Sequence, residues 1–214
     1  MAVTLSRRSL LICLSLPALC GWPAAAVQAQ AGDLPARARS FVDTLGNEAV
    51  ATMAATNITR AERIEQFRAL FHKGFDVPTI ARFVLGRYWG VATPAQQQEY
   101  LKQFEEMVVR SYAARFDSYR GERFRITSSR PDGSHDVFVA TEVTPGNGPP
   151  VNVEWRVRER DGTLGIIDVV VEGVSMSVTQ RQEFGSAIQA KGGNMDAFLQ
   201  TLREKNAALA APTP

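Results

Sequence analysis

The side chains that could perform acid–base chemistry are few in this chain, and their spacing does not bring them together. The sequence contains two histidines, His72 and His135. Histidine is the usual acid–base group at neutral pH, but these two fall in different predicted elements, and neither has acidic neighbours at the spacing of metal ligands. Glu105 and Glu106 are adjacent, and adjacent positions of a helix point in different directions. We therefore predict no catalytic residues and no metal site.

The chain also lacks the short motifs that bind phosphate or carry a hydrolytic nucleophile. No G-x-S-x-G, P-loop or HExxH sequence occurs in it. The two cysteines, Cys13 and Cys20, lie in an N-terminal segment that we expect to be removed. The mature chain then has no thiol for a disulfide or a metal, and we expect no cofactor.

The first residues have the pattern of a secretory signal peptide. Arg7 and Arg8 precede an apolar run, and small residues that fit a cleavage site end at Ala31. The apolar run is shorter than the roughly 20 residues that span a membrane. The arginine pair resembles a twin-arginine export signal. An ordinary signal peptide with two arginines fits equally well, and both routes stay open.

We divide the chain into a cleaved signal peptide over 1–31, a single domain over 32–208 and a disordered tail over 209–214. Arg7 and Arg8 are two of the 24 Lys and Arg residues, whereas none of the 22 Asp and Glu residues lies in the signal. The mature chain therefore carries no formal net charge. Because nucleic-acid binding requires a basic face, we expect no nucleic-acid partner.

Hydrophobic periodicity divides the mature chain into helices, then strands, then helices again. Two capping boxes, Thr59–Glu62 and Thr93–Gln96, and a capping residue, Asp76, mark helix starts. The predicted helices run from Leu34 to about Thr56, Thr59 to Gly74, Asp76 to Gly86, Thr93 to about Tyr119, Gly173 to Gly192 and Asn194 to about Ala208. The predicted strands contain Phe124 and Ile126, Val137 to Val143, Val151 to Val157, and Leu164 to Val171.

This order of elements predicts an α+β fold in which a four-stranded antiparallel curved sheet packs against a bundle of about six helices and encloses an apolar pocket. Periodicity alone does not distinguish a filled core from a hollow one, so the pocket rests on analogy with other folds. The residues that we expect to line it are Phe104, Met107, Val108, Val137, Val139, Val153, Trp155, Ile167 and Val169.

The pairing of the last two strands depends on the length of the turn at Asp161-Gly162. A two-residue turn would set Trp155 opposite Asp168 and place that carboxylate on the apolar face. A three-residue turn would pair Trp155 with Ile167 and Val153 with Val169. We prefer the longer turn because it keeps Asp168 on the outer face.

Three separated segments of the chain resemble the MlaC-type, toluene-tolerance family of periplasmic phospholipid-binding proteins. They are Phe75-Asp76 with Leu85-Gly86-Arg87-Tyr88-Trp89, the helix from Thr93-Pro94 to Tyr119, and Asp168-Val169 through Glu172-Gly173-Val174-Ser175 to Arg181 and Phe184. The resemblance covers the chain from about Phe41 to Leu202. Hopanoid-associated proteins share the family fold, so a polycyclic lipid context stays open.

The resemblance implies a monomeric periplasmic carrier of phospholipid. It would shuttle lipid between an inner-membrane ABC transporter complex and an outer-membrane lipoprotein and porin complex, with lipid as cargo and no covalent chemistry. Arg181 is a possible headgroup contact, because a guanidinium matches phosphate, but we favour a structural role in which it pairs with Asp168, Glu172 or a helix end.

Two other classes of function fit the sequence. One is a small-ligand enzyme of the isomerase kind with His135 or Asp168 as its base, which requires an acid or base inside an apolar pocket. The other is an envelope adaptor that binds proteins and no lipid.

Overall fold

The helices of the chain lie where the capping residues and the 3.6-residue period predict them, except that the first begins at Ala25 and not at the predicted Leu34. The computed structural model describes residues 25–55, 58–116, 121–146 and 148–210. Within these ranges the helices are α1 (Ala25–Ala54), α2 (Arg60–Gly74), α3 (Val77–Leu85), the 3₁₀ turn Gly86–Gly90, α4 (Pro94–Phe116), α5 (Met176–Ala190) and α6 (Met195–Ala210). Most of the predicted signal peptide and the predicted end of the fourth helix lie outside the described residues. No helix in these ranges is long and apolar enough to cross a membrane.

Hydrogen bonds at the helix starts confirm the predicted caps. The Thr59 side chain accepts the Glu62 N–H at 3.2 Å, and the Glu62 carboxylate accepts the Thr59 N–H at 2.7 Å. The Thr59 N–H and the Thr59 hydroxyl, which donates to the same carboxylate at 2.8 Å, lower the pKa of Glu62. The Asp76 carboxylate accepts the Thr79 N–H at 3.1 Å. Each cap satisfies an N–H that has no partner inside its own helix.

The strands form one antiparallel sheet in chain order, as the alternating pattern predicts. They are β1 (Arg123–Asp132), β2 (Asp136–Thr144), β3 (Val151–Arg160), β4 (Thr163–Val171) and β5 (Val174–Ser175). The two-residue strand β5 is a fifth strand beyond the four predicted, and it folds back on the end of β4. The α+β architecture is otherwise the predicted one.

The register that we preferred for β3 and β4 is wrong. Asp161 and Gly162 have φ angles of 51° and 79° and form a two-residue turn that pairs Arg160 with Thr163. A tight two-residue hairpin turn whose twist matches that of the flanking strands requires positive φ at both central residues. The longer turn is therefore unnecessary.

A β-bulge removes the conflict that made the shorter turn unattractive. The register shifts by one residue at Ile167, between the Val157–Ile166 and Arg156–Asp168 pairs. Trp155 consequently pairs with Val169, and Asp168 alternates with that pair on the opposite side of the strand. One inserted residue reverses the face of every side chain beyond it.

Two apolar cores lie on either side of the segment that joins α2 to α3. The helical core is built from α3, α4, α5 and α6 around Tyr100, Phe104 and Phe184, and the sheet core lies between α1 and the valine-rich face of the sheet. The Tyr100 hydroxyl donates to the Ala81 carbonyl at 2.9 Å, and burial raises the pKa of Tyr100. Phe75 packs against both cores.

A buried ion pair closes the hairpin end of the sheet. Arg158 donates two hydrogen bonds of 2.7 Å to the carboxylate of Asp136, whose residue is 4% exposed. Burial by itself raises the pKa of Asp136, but the hydrogen bonds and charge of Arg158, the charge of Arg156 and that of His135 outweigh burial and hold this pKa below its usual value.

We expect Asp136→Asn to lower the free energy of unfolding by about 1–3 kcal/mol at neutral pH, because it removes a buried carboxylate and leaves the half-buried guanidinium of Arg158 without its counter-ion. A carboxyl with a lowered folded-state pKa stabilises the fold above its unfolded pKa of about 3.9 and loses this effect as pH falls through the folded value. Urea unfolding of both proteins between pH 7 and about pH 3 measures the difference. It should stay constant down to about pH 5 and shrink below about pH 4; a difference that grows with acidity would contradict the assignment.

Candidate functional site

An apolar cavity of about 640 Å³ lies between the sheet and the helices that cover it. Helices α1, α2 and α4 form its outer wall, the valine-rich sheet face forms its inner wall, and α3 and α5 close the edges. Its lining comprises Val42, Leu45, Gly46, Ala49, Phe67, Leu70, Phe71, Phe75, Ile80, Val84, Phe104, Val108, Tyr112, Phe124, Val143, Val153, Trp155, Ile166, Asp168, Val169, Val171, Met176, Ser177 and Gln180. The volume falls within the range of about 300–1,000 Å³ typical of ligand pockets.

The deep end of the cavity is defined by aromatic side chains from the α2–α3 connection. The Phe71 and Phe75 ring centroids lie 4.9 Å apart, and Phe75 meets Trp155 edge-on at 6.4 Å. The opposite end is more accessible: Tyr112 is 40% exposed there, and Ala49 and Val143 are half-buried. The cavity therefore runs inward from an accessible end to a closed apolar floor.

The polar atom of the central tryptophan is satisfied within the wall. The Trp155 indole N–H donates to the Thr141 hydroxyl at 3.0 Å, and that hydroxyl donates to the Val153 carbonyl at 2.9 Å. Buried polar groups cost free energy unless they are hydrogen-bonded. This chain of bonds lets Trp155 present an apolar ring to the cavity.

The polar lining groups include Asp168, Ser177 and Gln180, which lie close together where α5 begins. The Asp168 carboxylate accepts the Val169 N–H at 2.9 Å, the Ser175 hydroxyl at 2.6 Å and the Ser177 N–H at 3.1 Å. These three bonds fix the start of α5 against β4. No Lys or Arg occurs among the described residues that line the cavity.

The predicted pocket residues divide into two groups. Phe104, Val108, Val153, Trp155 and Val169 line the cavity. The remaining four do not.

Of the four that do not line the cavity, Met107 is buried in the helical core. Val137 and Val139 are fully buried in the sheet core beneath α1. Ile167 is the bulged residue of β4, so it does not follow the alternation that places Ile166 and Val169 on the inner face.

Arg181 lies outside the cavity, and its contacts are with the protein. Its guanidinium donates to the Phe83 carbonyl at 3.2 Å and lies 4.8 Å from the centroid of the Phe83 ring. A Cβ atom at Gly86 would stand 3.1 Å from the same guanidinium. Arg181 therefore fastens α5 to the C-terminal end of α3, which supports the second of the two interpretations made from the sequence.

The candidate acid–base residues do not come together at the cavity. His135 is exposed in the β1–β2 hairpin, and His72 is exposed on α2 with its Nε2 3.0 Å from Glu105. Asp168 was predicted to lie on the outer face, but it borders the cavity where α5 begins. Its carboxylate already accepts three hydrogen bonds. Across the described ranges, no group of three or more His, Cys, Asp or Glu could hold a metal ion.

Helices α1 and α2 supply lining residues that the sequence prediction missed. Val42, Leu45 and Ala49 follow one stripe of α1, and Phe67 and Leu70 follow one stripe of α2. Both stripes were visible as helical periodicity. A stripe that packs on a filled core has the same spacing as one that faces a cavity, so the sequence carried no signal to separate them.

Ion pairs at the surface fasten α2 over the cavity. Arg68 donates to Glu105 at 3.0 Å and to Glu106 at 2.8 Å, and both acids lie on α4. Lys73 joins α2 to Glu48 of α1 at 2.6 Å. Burial by itself raises the pKa of Glu106, but hydrogen bonds and charge from Arg68 and Arg110 outweigh it and leave this pKa below its usual value.

Two curated proteins to which this chain is similar are named for toluene tolerance and for phospholipid transport. It is 24% identical over 110 residues to the toluene tolerance protein ttg2D of Pseudomonas putida, which covers 51% of each chain. It is 27% identical over 97 residues to the intermembrane phospholipid transport system binding protein MlaC of Haemophilus influenzae, which covers 44% of this chain and 45% of that one. The chain thus spans about half the length of the curated relatives it matches.

A solved structure matches the fold over a longer range. A phospholipid-binding protein from Ralstonia solanacearum, determined in complex with a phospholipid, superposes with a TM-score of 0.72 at 27% identity and covers 81% of this chain and 99% of that one. The model of the MlaC protein family matches residues 43–204. This range holds all five strands and most of the helices that enclose the cavity, and the chain belongs to the MlaC family.

Proposed function

We propose that this protein is a periplasmic carrier that holds the acyl tails of a phospholipid in its apolar cavity and changes no covalent bond. The observation that carries the proposal is a cavity of about 640 Å³ whose lining is apolar except for a small polar cluster at the start of α5. Family membership and the similarity to a protein solved with a phospholipid support it.

The free energy of acyl chains in water explains why a carrier is needed. Each exposed CH₂ group costs about 0.8 kcal/mol, so two long chains represent roughly 20 kcal/mol or more of unfavourable hydration. A lipid therefore does not cross an aqueous compartment unaided at a useful rate. An enclosing apolar wall removes most of this cost, and lipid can then leave one membrane and enter another.

The charges around the cavity favour tail binding over headgroup binding. The described lining contains one carboxylate, Asp168, and no cation that could pair with a phosphate. An anionic phosphate would lose its hydration inside this cavity without gaining a cationic partner, so its free energy is lower in water. The headgroup would accordingly remain at the accessible end, near Tyr112, while the tails reach towards Phe71 and Trp155.

We further propose the partners that such a carrier requires. As a monomer in the periplasm it would take lipid from or give it to an inner-membrane ABC transporter complex and an outer-membrane lipoprotein and porin complex. The lipid is cargo and is not a resident cofactor. The absence of charge pairing with the phosphate suits this role, since the partners must be able to reverse binding.

The protein purified under mild conditions from its own envelope should carry lipid. Native mass spectrometry is expected to record a species heavier than the chain by the mass of a phospholipid, and organic extraction should release that lipid. A protein that arrives lipid-free and also takes up no diacyl phospholipid from vesicles would overturn the proposal.

A bulky side chain in the cavity should displace the tails. Ala49 lines the cavity on α1, whereas Ala51, two positions further along the helix, is exposed. Ala49→Trp should lower the bound phospholipid roughly tenfold, because overfilling a packed site costs about 1–3 kcal/mol. The measurement is lipid phosphorus per mole of folded protein.

Ala51→Trp is the matched control for this experiment, because it adds the same side chain on the solvent side of the same helix. It should retain its lipid. Equal lipid content in both folded variants would show that the cavity beside α1 does not hold the tails.

A further inference from the structure

Three arginines on neighbouring elements each lie over an aromatic ring. They belong to α3, the 3₁₀ turn and α5, which contact one another. The pairs are Arg82 over Trp89 at 5.8 Å, Arg87 over Tyr88 at 4.9 Å and Arg181 over Phe83 at 4.8 Å, measured from the guanidinium carbon to the ring centroid. We call this set the arginine–aromatic surface.

None of these three guanidiniums forms an ion pair with a carboxylate of the described residues. Other arginines do: Arg68 pairs with Glu105 and Glu106, and Arg158 pairs with Asp136. In a chain with nearly equal numbers of acidic and basic residues, an unneutralised group of three cations is a local excess. These three arginines are exposed, so their N–H groups can donate charge-assisted hydrogen bonds to a partner.

Local structure accounts for only part of this surface. Arg181 donates to the Phe83 carbonyl at the end of α3, where a cation also complements the helix dipole. Arg87 donates to the Tyr88 hydroxyl at 2.9 Å. Stacking on a ring fixes the plane of a guanidinium while its remaining N–H groups stay free to donate in a fork that fits a carboxylate.

Exposed apolar side chains lie next to the cations. Phe83 is 41% exposed, and Val178, one turn before Arg181 on α5, is 42% exposed. The same two helices line the cavity with Ile80 of α3 and Gln180 of α5. A partner on the arginine–aromatic surface would therefore touch the helices that form one edge of the cavity.

The composition of the surface distinguishes a protein partner from a bilayer. Basic patches that hold anionic membranes contain about four to eight Lys or Arg residues, and this surface has three. Rigid Arg, Trp, Tyr and Phe side chains are the residue types that concentrate binding energy in protein interfaces, where Lys is depleted. We propose that the arginine–aromatic surface docks a folded protein that presents an acidic patch to it. The proposal deepens the proposed function, since it names the face on which a carrier would meet the protein that exchanges its cargo.

A photocrosslinking amino acid tests the surface in the source organism. A benzophenone side chain placed at Phe83 of the full chain should form an adduct with one protein, and the crosslinked peptide should be rich in Asp and Glu. Phe138 is the matched control, because it also lies under an arginine, Arg130 at 4.2 Å, but that arginine is paired with Glu154. The Phe138 probe should not give the same adduct.

The double variant Arg82→Gln/Arg87→Gln should lower the crosslinking yield at Phe83 about tenfold or more, as expected when interface arginines are truncated, while melting at the same temperature as the parent.

No protein adduct at Phe83, the same adduct at Phe138, or a yield unchanged in the double variant would each overturn the proposal. So would arginine-dependent flotation of the protein with phosphatidylglycerol–phosphatidylcholine vesicles, which would assign the surface to a membrane. Lipid phosphorus is measured on the same proteins: a parent protein that carries no phospholipid and takes up none from vesicles would refute the carrier function without bearing on the crosslink.

Discussion

The cavity depends on the contact between the α2–α3 connection and strand β4. The Asp76 N–H donates to the Ile166 carbonyl at 3.0 Å, and Phe75 and Ile166 form an isolated parallel bridge. Gly165 permits this approach, since a Cβ atom there would stand 3.3 Å from that of Asp76. At this point the helical core and the sheet core meet through Phe75. Away from this contact the helical core and the sheet core separate, and the space between them is the cavity.

This arrangement explains how an apolar void persists in a protein of this size. Protein interiors are normally packed to the density of organic crystals, and a void loses contacts on one side of its lining. Here each wall has contacts outside the cavity. The strands of the sheet are hydrogen-bonded to one another, α4 packs against α6 and the helical core, and α2 forms ion pairs with α1 and α4. Each wall therefore has stabilising contacts outside the cavity, and a ligand can supply the contacts that are missing inside it.

The elements were predictable from the sequence because their signals are local. Capping boxes at Thr59 and Thr93 and alternation along β2 and β3 each follow from a few neighbouring residues. The bulge at Ile167 was not predictable, since it depends on a compromise between a tight turn at Asp161-Gly162 and the need to keep Trp155 and Asp168 on opposite faces. The presence of a cavity was predicted only by analogy with other folds. The predicted lining therefore included residues such as Val137 and Val139, which fill the sheet core. Whether a buried stripe faces atoms or space is decided by elements distant in the chain.

The central claim is that the tails of a phospholipid occupy the space between the sheet and α1, α2 and α4. A crystal structure of the protein loaded with a phospholipid whose acyl chains carry bromine tests it directly, because bromine atoms are located by their anomalous scattering. The account predicts bromine peaks inside the cavity, among Trp155, Phe71 and Leu45. Bromine peaks confined to the outer surface, with the cavity unoccupied, would contradict it.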